Sequence, residues 1–488
     1  MPFNQEITGD PFHGDFHDWY GDGPRDPLAA AVQSEVDQLI NLRFQPDVRH
    51  DYLRLLQGRR AQLAEPRPGD PPAVITPFDF LPVGIGFDTL LVPGQLLITR
   101  QSYDGSHGPA GLGAPYRYGQ DVLAGFGLEP REVDCRALRD RVLRLIPTRP
   151  MGSQELADAA RALRALGLDV SLCYITTLAG VVKPPPHKVA SGAAVKPALL
   201  VEEARLADGG PDRPAKVAVI DTGIAAEIRT DGWLAEVPRA GNIDPLDAFP
   251  LPNGDGFLDF AAGHGTFVAG LVREVAPRAE IAVYQASDSD GIAKEETVAC
   301  AMIRAVIEDG AQIVNLSLGC QTQDNMPPIA IQAALEIITE WARERDRDIL
   351  VVAAAGNSGD ATPSWPAAFS SPTFPTVVSV AGLTPKVQPA PWSTRGYWVT
   401  CSTIGQGLLS TYVQGQDPPQ PNGPGQVFGP DSWAVWSGTS FAAPQIAGAL
   451  ARRYQDEGIS LRDALSGLLA AGRPISGFGR AVKILPGI

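Results

Sequence analysis

The feature that most restricts the fold lies after residue 214. Short runs rich in Val and Ile follow one another: KVAVID (216–221), EIAVYQA (280–286), AQIVNLSLG (311–319), DILVVAAAGN (348–357) and PTVVSVAG (375–382). Helix-length segments such as KEETVACAMIRAVIEDG and PIAIQAALEIITEWARERD separate several of them. A continuous apolar run fits a strand buried on both faces, and helical crossovers between such strands give a parallel α/β sheet. Polar residues just past the strand ends of such a sheet are where chemistry gathers.

Three polar residues stand at such places. Asp221 closes KVAVID and precedes Thr-Gly, His264 sits in GHGTFVAG (263–270) at the mouth of an apolar helix, and Ser440 sits in SGTSFAAP (437–444), again at a helix start. Of the six histidines, His13, His17, His50, His107 and His187 precede residue 215, so an imidazole base in the α/β region must be His264. A serine hydroxyl is a weak nucleophile at neutral pH and needs a base within hydrogen-bond reach, itself oriented by a carboxylate. A helix N-terminus supplies unpaired backbone N–H groups and a positive dipole end, suited to a developing oxyanion. Gly438 allows close backbone approach, Ala442 and Ala443 leave room, and Pro444 is tolerated in a first helical turn. Taken singly, Ser437 and Ser440 also read as helix caps, and His264 as a core residue. The phrase is not a GxSxG elbow, because Ala442 replaces the second glycine.

Together these motifs resemble those of subtilisin-like serine proteases. VAVIDTGI is similar to that family's aspartate motif, GHGTFVAG to its histidine motif and SGTSFAAP to its serine motif, in the family's Asp, His, Ser order. The resemblance covers roughly residues 215–488. It implies a three-layer α/β domain with a mostly parallel sheet, an Asp221–His264–Ser440 triad, and peptide-bond hydrolysis through an acyl-enzyme. AAAGNSG (353–359) resembles a fourth motif, which implies Asn357 as an oxyanion donor. NLSLG resembles the strand that pairs with the substrate backbone. It implies Ser317, Leu318 and Gly319, with Ala355 and Gly356, as substrate-binding residues, and the small linings suggest room for an apolar or aromatic side chain. Ser437 is left as a local cap.

Departures from the family pattern matter too. Phe267 stands where a second histidine is usual, which is expected to change packing rather than chemistry. The short link after HGTFVAG lacks the asparagine-containing loop that completes a calcium site in many bacterial subtilisins, so no metal or other cofactor is expected. Asn253, Asp255 and Asp259 in NGDGFLD are faintly like a calcium loop, but they lack a bidentate glutamate and read as a polar turn. Ile404 replaces the proline of a Pro-Gly turn.

The first half divides into an N-terminal extension (1–80), a small α+β domain (81–182) and a Pro/Ala/Gly-rich tether (183–214). In the extension, PLAAAVQSEVDQLINLRF puts Leu28, Val32, Val36, Leu39 and Ile40 on one helical face. In the α+β domain the reading is strand, strand, helix, strand, with SQELADAARALRALG an amphipathic helix stopped by Gly167. Residues 90–182 resemble, in element order, the prodomain that blocks the active site of many subtilisin-like proteases. The expected partners are therefore a protein or peptide substrate and the chain's own N-terminal half as inhibitor. The other reading of this half is a permanent recognition module. His13 and His17 lack a third ligand and read as solvated or packed.

Bulk properties exclude other classes. A formal charge of −15 with no basic stripe argues against nucleic acid. No apolar run of about 18 residues suggests a membrane span, and the acidic N-terminus is not expected to be a secretory signal. Cys135, Cys173, Cys300, Cys320 and Cys401 are scattered and odd in number, which predicts buried thiols in the cytoplasm rather than a disulfide framework. A catalytically silent peptide-binding scaffold is the competing reading; an acid peptidase of the sedolisin type is opposed by His264. With His264 as base, activity is expected to rise through about pH 6.5.

Overall fold

The computed structural model describes residues 27–43, 45–63, 76–84, 87–105, 118–178, 186–189, 214–249, 254–419 and 425–487. The His13/His17 pair, Asn253 and most of the 183–214 tether lie outside the described residues. Two helices come first, α1 (Pro27–Arg43) and α2 (Pro46–Leu63). Each starts on a proline, whose fixed φ and missing N–H suit the first helical position. The apolar stripe of α1 is buried, but not within the extension. Val32 packs with Val189 and Val435, and Val36 and Leu39 pack with Ala390 and Trp392.

An antiparallel sheet follows, built from β1 (Asp79–Gly84), β2 (Phe87–Thr99), β3 (Leu128–Glu132), β4 (Val142–Pro147) and β5 (Val170–Thr177). The stretch REVDCRALRDRVLRLI (131–146) covers the end of β3 and nearly all of β4, with a short turn of helix at Arg136–Leu138 between them. Helix α3 (Ser153–Ala165) lays Leu156, Ala160 and Leu163 on this sheet at helical spacing and stops at Gly167, whose φ of 85° few other residues adopt.

The α/β domain then runs through β6 (His187–Lys188), β7 (Lys216–Asp221), α4 (His264–Val275), β8 (Glu280–Gln285), β9 (Ile292–Lys294), α5 (Glu295–Ile303), β10 (Ile313–Leu316) and α6 (Ile329–Glu344). It continues with β11 (Leu350–Ala354), β12 (Val377–Leu383), β13 (Cys401–Ile404), β14 (Leu408–Thr411), β15 (Trp433–Trp436), α7 (Thr439–Asp456), β16 (Arg473–Ile475) and β17 (Gly479–Ala481). Eight strands form the main sheet in the order β16-β17-β13-β12-β11-β10-β7-β8, parallel except at the β16–β17 edge. Strand alternation divides the core: Val217 and Val219 face α4 and α7, while Ala218 and Ile220 face α5 and α6. Three layers result, as the apolar runs predict.

The two halves share a sheet. β5 pairs with β9, Ile175 opposite Lys294 and Thr177 opposite Ile292, so the N-terminal sheet reads β3-β4-β2-β5-β9 with β1 on β2. Stacking this sheet on α5 brings Cys135 to Cys300, and the two form a disulfide with Cα atoms 5.8 Å apart. The expectation of no disulfide fails here, because a contact between distant domains leaves no trace in cysteine spacing. Cys173, Cys320 and Cys401 are buried thiols, as expected.

Candidate active site

In a parallel sheet, neighbouring strands whose crossovers leave in opposite directions open a crevice at their carboxyl ends. Here β7 connects onward to β8 on one side and is flanked by β10 on the other. Asp221 is the last residue of β7 and His264 the first of α4. Both are fully buried, with His264 Nδ1 2.7 Å from Asp221 Oδ1, the pairing in which a ring N–H donates to a carboxylate. Close backbone approach makes this contact. A Cβ on Gly265 would fall 2.2 Å from the Gly223 carbonyl oxygen, so the glycines following Asp221 and His264 let β7 and α4 meet.

A second carboxylate lashes the two motifs together. Thr222 Oγ1 donates to Asp244 Oδ2 at 2.6 Å, Gly263 N donates to the same oxygen at 2.9 Å, and Gly265 N donates to Thr222 Oγ1 at 3.1 Å. Burial pushes the Asp244 carboxyl up to about 7; the Thr222 hydroxyl and the Gly263 and Leu246 N–H groups pull the other way, and the charge of Asp221 adds to the rise. Asp244 escaped sequence reading, since nothing marks one aspartate among several in a loop.

Ser440 lies in the first turn of α7, behind Gly438. Its Oγ donates to the Ser317 carbonyl at 3.1 Å, and Ser317 Oγ donates to the Ser440 carbonyl at 2.7 Å. The next residue, Phe441, places its ring 5.3 Å from that of His264, which also meets Trp436 edge-on at 5.6 Å. Phe267 packs on both Phe441 and Trp436, at 4.5 and 5.7 Å. The substitution noted in the histidine motif thus seats the rings that surround the imidazole.

Asn357 is oriented by Thr439, which the sequence reading passed over. Thr439 N and Oγ1 both donate to Asn357 Oδ1 at 2.9 Å, and Gly356 N donates to Thr439 Oγ1 at 3.0 Å. With its oxygen so engaged, the Asn357 amide directs its N–H groups away from Thr439. Gly356 thereby joins the same cluster, whereas the side chains of Leu318 and Ala355 are buried in the core between sheet and helices. Of the residues expected to bind substrate, these two offer the cleft only backbone.

Gly319 already has a strand partner. Thr177 N donates to Gly319 O at 2.9 Å and Gly319 N to Thr177 O at 2.8 Å, while Leu178 N donates to Gly291 O at 3.3 Å. The N-terminal half therefore runs between β9 and Gly319. Farther along, β6 pairs with β15, which leads directly into Ser437 and Ser440. Two contacts had no sequence signal strong enough to be noticed. Glu35, the one acid within the apolar face of α1, is fully buried and accepts from Ser437 N at 2.8 Å and Ser437 Oγ at 2.9 Å. Ser437 Oγ in turn accepts from Gly407 N at 3.1 Å, so Ser437 is tied to an element of the extension as well as locally.

The NGDGFLD acids are engaged by protein donors. Asp259 Oδ2 accepts from Ala248 N, Phe249 N and Ser289 Oγ, and Asp255 Oδ1 accepts from Phe257 N. Among the described residues no group of three or more His, Cys, Asp or Glu is placed to hold a metal.

The chain is similar to known proteases. A thermophilic serine proteinase of Bacillus sp. (strain AK1) is 29% identical over 51% of this chain and 55% of its own length. Thermitase of Thermoactinomyces vulgaris is 26% identical over 54% of this chain and 83% of its own length. The chain thus spans little more than half of the Bacillus proteinase. In fold it is similar to fervidolysin from Fervidobacterium pennivorans, a keratinolytic enzyme related to subtilisin, at a TM-score of 0.50 and 20% identity, covering 81% of this chain and 60% of fervidolysin. The sequence pattern of the Subtilase family, Peptidase_S8, matches residues 212–468. With that match over more than half its length, this chain belongs to the subtilase family.

Proposed function

We propose that the protein is a serine endopeptidase whose own N-terminal half keeps it latent. The buried Asp221–His264 pair, whose imidazole meets the ring of Phe441, the residue after Ser440, carries the reading, because a binding scaffold has no use for it. In this mechanism Ser440 Oγ attacks a peptide carbonyl and His264 Nε2 takes its proton. Asp221 holds the ring tautomer and stabilises the imidazolium. The oxyanion is met by the Asn357 amide, held from behind by Thr439, and by N–H groups at the start of α7. His264 then protonates the leaving amine, and water repeats the sequence to free the acyl group from Ser440.

Latency is supported by the strand position of Thr177. A peptide drawn into this cleft would pair with Gly319, and Thr177 uses both of its hydrogen-bonding groups. No helix among the described residues is long and apolar enough to cross a membrane. The Cys135–Cys300 disulfide suits an oxidising compartment and weighs against the cytoplasmic expectation.

The test is intact mass after adding a fluorophosphonate to the wild-type chain and to Ser440→Ala, before and after limited proteolysis of the tether. Labelling of the wild type alone, gained or increased by the cut once the Cys135–Cys300 disulfide is reduced, is the expected result. No labelling in any form would refute the enzyme and leave the peptide-binding scaffold.

A further inference from the structure

The N-terminal half is fastened far more firmly than filling a cleft requires. Arg60 of α2 is buried against Asp288 at 2.5 Å and Asp290 at 3.4 Å. Arg144 of β4 grips both carboxylate oxygens of Glu296 on α5, at 2.7 and 3.2 Å. Glu295 accepts from Tyr174 N at 2.7 Å and from Ala330 N at 2.9 Å, joining β5 to the start of α6. Glu35 holds Ser437 from α1. All of these contacts are reversible. The bond between Cys135, which follows β3, and Cys300 of α5 is covalent, and it crosses the same interface.

An inhibitor joined to its target acts at an effective concentration on the order of mM, whereas a severed one is lost on dilution. Two links make this inhibitor intramolecular: the tether and the disulfide. We propose that the Cys135–Cys300 disulfide is a redox lock on latency: cutting the tether leaves the N-terminal half in the cleft, and release also requires reduction by a dithiol. This rests on the reading of that half as an inhibitor. Cys300 is half-buried while Cys135 is buried, so a dithiol's thiolate reaches the Cys300 sulfur first. That attack forms a mixed disulfide and expels the Cys135 thiolate. The second thiol of the reductant then displaces the Cys300 thiolate and closes the reductant into its own disulfide. Two electrons and two protons pass from the dithiol to the protein.

The experiment uses the full chain with a recognition site for a sequence-specific protease inserted between residues 190 and 213. In a Ser440→Ala background the cut chain should run as one species on a non-reducing gel and as two after dithiothreitol. In the active background, hydrolysis of a quenched peptide by the cut, oxidised chain should stay low over a thousand-fold dilution. With dithiothreitol, specific activity should rise at least tenfold over that dilution, and Cys135→Ser and Cys300→Ser should behave so without reductant. Separation of the halves on the non-reducing gel, or equal relief of the oxidised and reduced chains on dilution, would overturn the lock. The gel reads the bond without any catalysis. A chain that stays inactive and unlabelled after complete separation of its halves would therefore count against the protease and not against the bond.

Discussion

Thr439 offers a sharp test of how Asn357, the proposed oxyanion donor, is held. Replacing it by valine keeps the shape and removes the hydroxyl. One of the two bonds to Asn357 Oδ1 is then lost, and the bond that Gly356 N makes is lost with it. The bond from Thr439 N to Asn357 survives, so the amide keeps its place but not its full restraint. A neutral hydrogen bond is worth about 1 kcal/mol, which corresponds to about fivefold in rate if it acts only in the transition state. Thr439→Val should therefore lower kcat about fivefold with little change in KM. Asn357→Ala removes the donor itself and should cost roughly 10²–10³-fold. The decisive comparison is the double variant: with Asn357 already alanine, Thr439→Val should cost less than about twofold, since its effect passes through that amide. Peptide turnover and the second-order rate of fluorophosphonate labelling both read this out. An equal loss in the two backgrounds would refute the idea that Thr439 acts through Asn357.

Three other predictions follow from contacts elsewhere. The Asp244 carboxyl sits at about 7 against an ordinary 3.8, so the folded chain holds that proton more tightly than the unfolded one. The stability involved is complete below pH ~3.8 and lost as the pH rises through 7, at most about 4 kcal/mol. Asp244→Asn should reduce the fall in urea midpoint between pH 5 and 8 without abolishing it, because burial also raises Glu295 to about 8 and Asp417 to about 7; an unchanged slope would count against the assignment. Under the proposed latency, Thr177→Pro, which deletes the N–H donated to Gly319, should raise the activity of the uncut chain about fivefold by loosening that strand. Phe267→Ala should cost about 3–5 kcal/mol in denaturant unfolding and slow Ser440 labelling as well. Labelling at the wild-type rate would mean that the rings around His264 do not position it.

What could be read from the sequence was local. The strands of the main sheet announce themselves because both faces are buried, so each is an apolar run, and Asp221, His264 and Ser440 fall at the element ends where such sheets carry polar groups. Residues defined by distant pairing could not be read in the same way. Ile292–Lys294 is three residues long and becomes a strand only because β5 lies beside it. The partnership of Glu35 with Ser437 spans 402 positions, and a glutamate on a helix ordinarily faces water. Cys135 and Cys300 look like two members of an odd, scattered set until their domains are stacked. Thr439 was in plain view within SGTS, but its bonds to Asn357 depend on how β11 and α7 converge.

The continuity of β5 with β9, and of Thr177 with Gly319, fixes the shape of whatever can take its place. Neighbouring strands stand about 4.8 Å apart, so the slot between two such edges is about 10 Å wide and admits a single extended chain. A helix, about 10–12 Å across with its side chains, does not fit, and a hairpin brings a second strand with it. A folded protein would have to surrender several consecutive residues from its own hydrogen bonding before it could be threaded here. The free energy of that local opening, more than the identity of any one side chain, would then decide which proteins are cut and where. Stable domains would be spared and loops, termini and misfolded chains exposed, so the slot itself would act as a sensor of foldedness.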